Sequence, residues 1–341
     1  MLKDWFLGYV SLAFLALVAE AIVGYPAWLH AAIPHPVVWV GNAINAFERW
    51  WNEPRYSFAK RRALGAVAVL ILTGLAVSLG MIIENGLVSI GSPLIVGQGP
   101  DVARHWSNYL LVLAISIVTV LVATVGLAQK SLFVHVKNVL IALRCADLPA
   151  ARERVSMIVG RDTRRLDESG VSAAALESLA ESFNDGIVAP AFWLAVGGLP
   201  GLFAYKVLNT ADSLIGHKEE RWRAFGWAAA RADDVVNLIP ARMAGILLAF
   251  AGWAGLFVMF KDASKHASPN AGWPEAAMAG ALGVQLGGPT TYDGVLHDRP
   301  VFGTGPAPGV ADLARGLRIY VIACGLLWLS LSAIVAMILV L

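Results

Sequence analysis

The strongest constraint on this chain is a set of stretches, each about twenty residues long, that carry almost no charge. Residues 5–24, 63–83, 109–128 and 320–341 are of this kind. About 20 apolar residues in a helix match the thickness of a bilayer's hydrocarbon core. Only a helix or a closed barrel satisfies the backbone there without water. Residues 238–260 form a fifth stretch, with Pro240 and Arg242 near its start. A sixth, 187–208, is interrupted by Pro190, Gly197, Gly198, Pro200 and Gly201 and carries Lys206. A broken apolar stretch of that kind is more often re-entrant or enclosed by protein than lipid-facing. Charged residues make up 15% of the chain and hydrophobic ones 57%, whereas soluble domains carry about 25% charged. The expected fold is therefore all-α: a polytopic integral membrane helical bundle with re-entrant or interfacial helices and cytoplasmic helical loops. It is expected as one membrane-embedded domain over 1–341, with 129–242 and 261–318 bearing the motifs on the cytoplasmic side.

Charge sets orientation and excludes some partners. With 26 Lys and Arg against 24 Asp and Glu the net charge is +2, so no nucleic-acid footprint is expected. Cys145 and Cys324 lie far apart without metal-type spacing. Ala19-Glu20-Ala21 resembles a cleavage site, but Asp4 offsets Lys3, a poor start for a signal peptide. The stretch 25–62 carries Arg49, Arg55, Lys60, Arg61 and Arg62, while 84–108 carries only Arg104 and 129–186 carries eight basic residues. By the positive-inside rule the first and third of these loops are cytoplasmic and the N-terminus is outside. Both 209–237 and 261–318 are also basic, so simple alternation fails, and at least one C-terminal apolar segment is expected not to cross.

The polar residues gather between 160 and 242. Gly160-Arg161-Asp162-Thr163, followed by Arg164 and Arg165, reads either as a phosphate-binding corner of backbone amides and guanidiniums or as a positive-inside anchor. In 172–186 Ser172 is the expected N-cap and Gly186 the expected stop. Leu176, Leu179, Ala180 and Phe183 form one stripe, and Glu177, Glu181, Asn184 and Asp185 the opposite face. Carboxylates repel at this spacing unless a cation or basic partner joins them. The face is thus either solvated or a hard-oxygen site of the kind that suits Mg²⁺. In 204–217 Lys206, Thr210, Ser213 and His217 share a face, with Asn209 and Asp212 alongside. In 230–242 Asp233, Asp234 and Asn237 share another, either as a metal site or as an ion-pair network with Arg231 and Arg242. Residues 268–284 read as a loop and then a small-residue helix with Pro274 in its first turn, ended by Gly287-Gly288-Pro289.

No G-x-x-x-x-G-K-[ST], G-x-G-x-x-G, H-E-x-x-H or G-x-S-x-G pattern is present. From the residues alone, this is a membrane protein with a carboxylate-rich, partly basic polar site. Such a site suits metal-assisted work on a phosphorylated or carboxylated molecule.

Five long motifs carry a resemblance. They are Gly160-Arg161-Asp162-Thr163, ESFNDGIVAPAFW at 181–193, GGLPGLFAYKVLNTADSLIGH at 197–217, FGWAAARADDVVNLIPAR at 225–242 and SPNAGWPEAAMAGALGVQLGGP at 268–289. Together they resemble the CobD/CbiB family of cobalamin biosynthesis, the adenosylcobinamide-phosphate synthases, from about residue 35 to the last span. The chain departs from the family pattern at Tyr25, where Asp is common, and at Ser182, where Asn is usual.

The resemblance implies a bacterial cytoplasmic-membrane ligase with its active site on the cytoplasmic side. It would join adenosylcobyric acid to aminopropanol or aminopropanol phosphate through an amide, using ATP and Mg²⁺ beside other cobalamin-pathway enzymes and membrane lipid. Set against that reaction, Glu177, Glu181, Asp185, Asp233 and Asp234 are assigned to Mg²⁺. Lys206, Asp212, His217 and Asp185 are assigned to catalysis. Arg161, Asp162, Thr163, Asn184, Asn209, Arg231, Asn237, Arg242, Asn270 and Glu275 are assigned to substrate or phosphate. Two rival readings are a transporter, whose intramembrane carboxylates bind cations, and a non-catalytic scaffold for corrinoid enzymes.

Overall fold

A computed structural model describes residues 2–26, 34–96, 102–292 and 295–341. The fold is helical, as its long apolar runs require. In chain order the helices are α1 (Leu2–Val23), α2 (Pro36–Trp51), α3 (Phe58–Val96), α4 (Val102–Thr124), α5 (Gln129–Arg144), α6 (Leu148–Ser156) and α7 (Glu168–Phe183). After a π-helical turn at Asn184–Val188 come α8 (Ala189–Ile215), α9 (Trp227–Val236), α10 (Leu238–Ala251), α11 (Leu256–Asp262), α12 (Gly272–Leu282) and α13 (Val310–Val340). Two short antiparallel pairs interrupt the helices: β1 (Leu286–Gly287) with β4 (Val301–Phe302), and β2 (Thr290–Tyr292) with β3 (Val295–His297).

Among the described residues four helical runs are long and apolar enough to cross a membrane: Lys3–Val23, Phe58–Leu87, Glu168–Ile215 and Val310–Val340. Two further pairs pass the same test jointly across a short break, Asn108–Thr124 with Gln129–Arg144 and Trp227–Val236 with Leu238–Ala251. The expected loop 84–108 is thus largely helix, with 97–101 outside the described residues; so are Asp293 and Gly294 of segment 261–318.

The fifth apolar stretch is not one span. Helix α10 has 14 residues, about 21 Å at 1.5 Å per residue and too short alone for a core of roughly 30 Å. The chain then turns through Trp253 and Gly255, both at positive φ, into the seven-residue α11. Phe250, Trp253, Phe257 and Phe260 on this corner remain exposed, as suits side chains that face lipid.

By contacts the chain separates into two compact units, each drawn from discontinuous stretches. The first comprises 1–127, 190–235 and 331–341; the second comprises 128–189 and 236–330. In the first, α1 packs on α4, and α3 packs on α2 and α4. Gly198 (φ 60°) kinks α8 two residues before Pro200. Close approach needs glycine at Gly65, where a Cβ would sit 1.9 Å from the Phe225 carbonyl oxygen. In the second unit, α12 packs against α10, α11 and α7, while α5 and α6 pack on α7.

Helix α7 is buried through its middle, with Glu168 and Glu181 exposed near its ends. The stripe of Leu176, Leu179, Ala180 and Phe183 is fully buried, and Glu177, Ser172 and Ser178 on other faces are buried with it. The N-cap is Asp167, whose side chain accepts from Gly170 N, and not Ser172, which lies one turn inside and donates to the Glu168 carbonyl. Gly186 does not stop the helix: the chain widens into the π turn and continues. Helix α12 starts at Gly272, with Pro274 in its first turn as expected, but it ends at the left-handed Gly283, before the Gly287-Gly288-Pro289 run.

Overpacking a helix contact typically costs about 1–3 kcal/mol. Gly65→Val is therefore expected to lower the thermal midpoint of the detergent-solubilised protein by several degrees. Gly74→Val, whose added carbon meets nothing within 4 Å, leaves the midpoint unchanged in the same melt.

Candidate active site

In the second unit a buried chain of charges joins sequence-distant segments. Glu177, near the middle of α7, has a side chain only 4% exposed. Arg161 of the Gly-Arg-Asp-Thr motif reaches it in a short contact, and Arg299 reaches it from the strand-bearing loop at 3.0 Å. The Gly287 N–H donates to the other Glu177 oxygen at 2.8 Å. Arg299 also donates to Glu275 of α12 at 3.3 Å, and Nε2 of His266 lies 3.7 Å from that carboxylate. The Glu275 carboxyl is pushed well above the usual carboxylate range, first by burial and then by the charge of Glu181. A buried acid without partners would cost several kcal/mol. The two arginines are what make Glu177 and Glu275 tolerable inside the unit.

A second set centres on the π turn. The Asn184 side chain is buried, and its amide donates to Asp185 at 2.7 Å and to Asn237 at 2.9 Å. Asn237 ends the 230–242 motif, so two of the sequence motifs meet here. The Asn184 side-chain oxygen is buried with no hydrogen-bond partner among the described residues, an exception to the usual pairing of buried polar groups. π turns inside helices occur often at functional sites, because the extra residue per turn shifts side chains out of the regular ladder. Glu181 is exposed one turn earlier, and Asp185 is half-buried.

A third set lies on α10 and the loop before α12. Arg242 donates to Asn270 at 3.1 Å and stacks over the Trp273 ring, while buried Asn270 heads the turn into α12. A cavity of about 750 Å³ is lined by Arg161, Asp162, Arg164, Arg165, Gly287 and Thr290, among others. Asp162 is held by a fork from Arg164, whose hydrogen bonds lower its pKa to about 2. Thr163 is buried beside them.

The first unit holds the remaining assigned residues. Lys206, Asn209 and Asp212 are half-buried on α8, and Asn209 donates to Asp233 of α9 at 3.4 Å. Asp234 pairs with Arg231 at 3.1 Å. His217 is exposed after the end of α8, with its ring 5.5 Å from that of Trp222.

The five carboxylates assigned to Mg²⁺ do not form one cluster. Among the described residues no group of three or more His, Cys, Asp or Glu side chains is placed to hold a metal ion. The physical reason at Glu177 is plain, since two guanidiniums already neutralise it. Sequence reasoning missed Arg299, His266 and Gly287. The need for a basic partner beside the α7 carboxylates was legible, but the partner's identity lay 122 residues away.

A model of the family described as CobD/Cbib protein matches residues 13–320. A cobalamin biosynthesis protein CobD of a Sinorhizobium species is 46% identical over 322 residues, covering 91% of this chain and 93% of that one. Proteins of the same name from Rhodobacter capsulatus and Rhizobium meliloti are 42% and 40% identical, over 92% and 94% of this chain and 93% and 94% of their own. No solved structure matches.

Removing Arg299 leaves Glu275 without a guanidinium and Glu177 with Arg161 alone, so Arg299→Ala is expected to cost about 3 kcal/mol, read as a drop in the chemical-denaturation midpoint. Glu275 adds a pH dependence. Its folded pKa lies above its unfolded one, so its contribution is complete below the ordinary carboxyl range and is lost as pH rises through the raised value. Glu275→Gln should remove that slope from stability measured between pH 5 and 9.

Proposed function

The chain belongs to the CobD/CbiB family and takes part in cobalamin biosynthesis, and from that premise we propose that it forms the amide bond of adenosylcobinamide or its phosphate. In this reading it condenses adenosylcobyric acid with aminopropanol or aminopropanol phosphate at the expense of ATP, on the cytoplasmic side of a bacterial inner membrane. The observation that carries the reading is the meeting of four motif segments in the second unit. Arg161 and Glu177 are joined through Arg299 to Glu275, Asn184 to Asn237, and Arg242 to Asn270.

The chemistry asks for such a set. A carboxylate does not react usefully with an amine until it is activated. Attack of the carboxylate oxygen on the terminal phosphorus of ATP gives an acyl phosphate and ADP. Attack of the amine on the acyl carbon then expels phosphate and releases a proton. Positioning and charge neutralisation supply most of the catalysis of such a phosphoryl transfer. Arg164 and Arg165 line the 750 Å³ cavity and can take phosphate oxygens. Arg161 lines the same cavity while bonded to Glu177, so Glu177 fixes the direction of that guanidinium. This assigns Glu177 to positioning rather than to metal.

Mg²⁺ is commonly held by one or two carboxylates together with substrate phosphates. The orphaned Asn184 oxygen and the Asp185 carboxylate are hard donors that fit an ion arriving with nucleotide. When bound, it would offset the charge of the transferring phosphate. In this reading Asp185 also accepts the proton from the amine, while the Asn184 amide holds its carboxylate in place.

The test is direct. Protein purified in detergent, given adenosylcobyric acid, aminopropanol phosphate, Mg²⁺ and ATP, should yield the amide, ADP and phosphate in equal amounts. Asp185→Asn and Asn184→Ala should each lower kcat at least about a hundredfold without loss of membrane insertion. Absence of product with either amine form would overturn the ligase reading, and corrinoid flux into liposomes without ATP would replace it with transport.

A further inference from the structure

In the first unit a separate cavity of about 530 Å³ opens where the C-terminal end of α2, the start of α3 and the loop 216–226 come together. Its volume lies in the range of roughly 300–1,000 Å³ usual for small-ligand sites. The walls carry charges of both signs, and the hydrogen bonds show which of them are already neutralised.

Glu48 is buried and accepts two hydrogen bonds from Arg221, each 2.9 Å, with a third from Asn52 at 3.0 Å. The Arg221 guanidinium holds the Glu48 carboxyl below the usual carboxylate range. Glu53 is taken by Arg55 at 3.0 Å. The Arg61 guanidinium donates to the Asn52 side-chain oxygen at 2.6 Å and to main-chain carbonyls of 220 and 221. These are neutral acceptors, so Arg61 makes no direct ion pair and shares the Glu48 charge with Arg221. Arg49 uses only its Nε, on the Asn45 carbonyl at 3.3 Å. The Glu220 carboxylate has no hydrogen-bond or ion-pair partner among the described residues. The remainder is two cations and one anion facing the same space.

We propose that this cavity binds an aminoalkyl phosphate, presented here as the headgroup of an ethanolamine phospholipid. A phosphate alone would satisfy Arg49 and Arg61 but would meet Glu220 with like charge. An amine alone would do the reverse. A phosphate with a primary ammonium two carbons away matches both signs, and the ammonium supplies the donors that Glu220 lacks.

The surroundings favour a lipid source. Trp39, Trp50 and Phe58 are exposed on α2 and at the start of the apolar α3. Arg62 lies over the Trp227 ring at 3.5 Å, and Arg223 lies 5.6 Å from that of Phe58. Aromatic rings and basic side chains of this kind gather at the headgroup level of a bilayer. The inference stands on this cavity's charges and does not depend on the proposed ligase reaction.

The experiment uses the full-length protein without ATP or corrinoid, so its outcome is independent of turnover. In native mass spectrometry from mixed micelles, phosphatidylethanolamine is expected to be retained about tenfold better than phosphatidylcholine, whose methylated amine cannot donate, or phosphatidylglycerol, which has no ammonium. Glu220→Gln should erase that preference, and Arg49→Gln should weaken retention of all three lipids, with melting midpoints unchanged because both side chains are exposed. In a parallel arm, free ethanolamine phosphate and inorganic phosphate are titrated by calorimetry. Saturable binding of the ester alone, lost in Glu220→Gln, would keep the aminoalkyl phosphate and move its source from lipid to solution. Equal retention of the three lipids with no saturable binding of the ester would overturn the proposal, as would a preference for phosphatidylglycerol.

Discussion

Two buried carboxylates, Glu177 and Glu275, impose the requirement around which the second unit is built. Each sits inside the protein, where an uncompensated charge is expensive. Their neutralisation comes from Arg161 and Arg299, carried by loops before and after the helices concerned. The pairing therefore does more than settle charge. It fixes the Gly-Arg-Asp-Thr corner against α7 and ties the strand-bearing loop to both α7 and α12. At Gly287 the backbone itself joins, with φ +82° and so little room that a Cβ would sit 2.2 Å from the Pro300 carbonyl oxygen.

The same logic runs through the polar residues of the π turn. A membrane protein exposes apolar surface to lipid and has little hydrophobic drive to bring helix to helix, so close backbone packing and internal hydrogen bonds hold the bundle. Here Ala and Gly line the contacts of α12, and Asn184, Asn237 and Asn270 are buried with their bonds made inside the unit. One oxygen is left over, on Asn184. It lies beside the Asp185 carboxylate, which the Asn184 amide holds.

The charges divide by task. Arg164 and Arg165 stand at a basic cavity in the second unit, while Arg49, Arg61 and Glu220 face a mixed one in the first. Basic residues that hydropathy reasoning treats alike, as anchors on one side of a membrane, thus differ in what their hydrogen bonds leave over. Arg221 is consumed by Glu48; Arg49 is not.

Much of this was legible in the sequence. The apolar runs determined a helical membrane protein, because only internal hydrogen bonding satisfies backbone in lipid, and the motif residues marked where buried polar contacts form. The clustering of carboxylates along 177–185 even signalled that a cation was needed. What the linear pattern could not decide was which cation, because Arg299 reaches Glu177 only once the loop between α12 and α13 folds back, and a pairing across 122 residues leaves no local period. Nor could it show that α7 is buried on most of its surface, that Gly186 continues a helix as a π turn, or that 238–260 breaks at Trp253. Those depend on what packs against each segment. Local propensity and hydropathy describe one chain in a uniform medium, whereas burial and ion pairing exist only after distant segments have met.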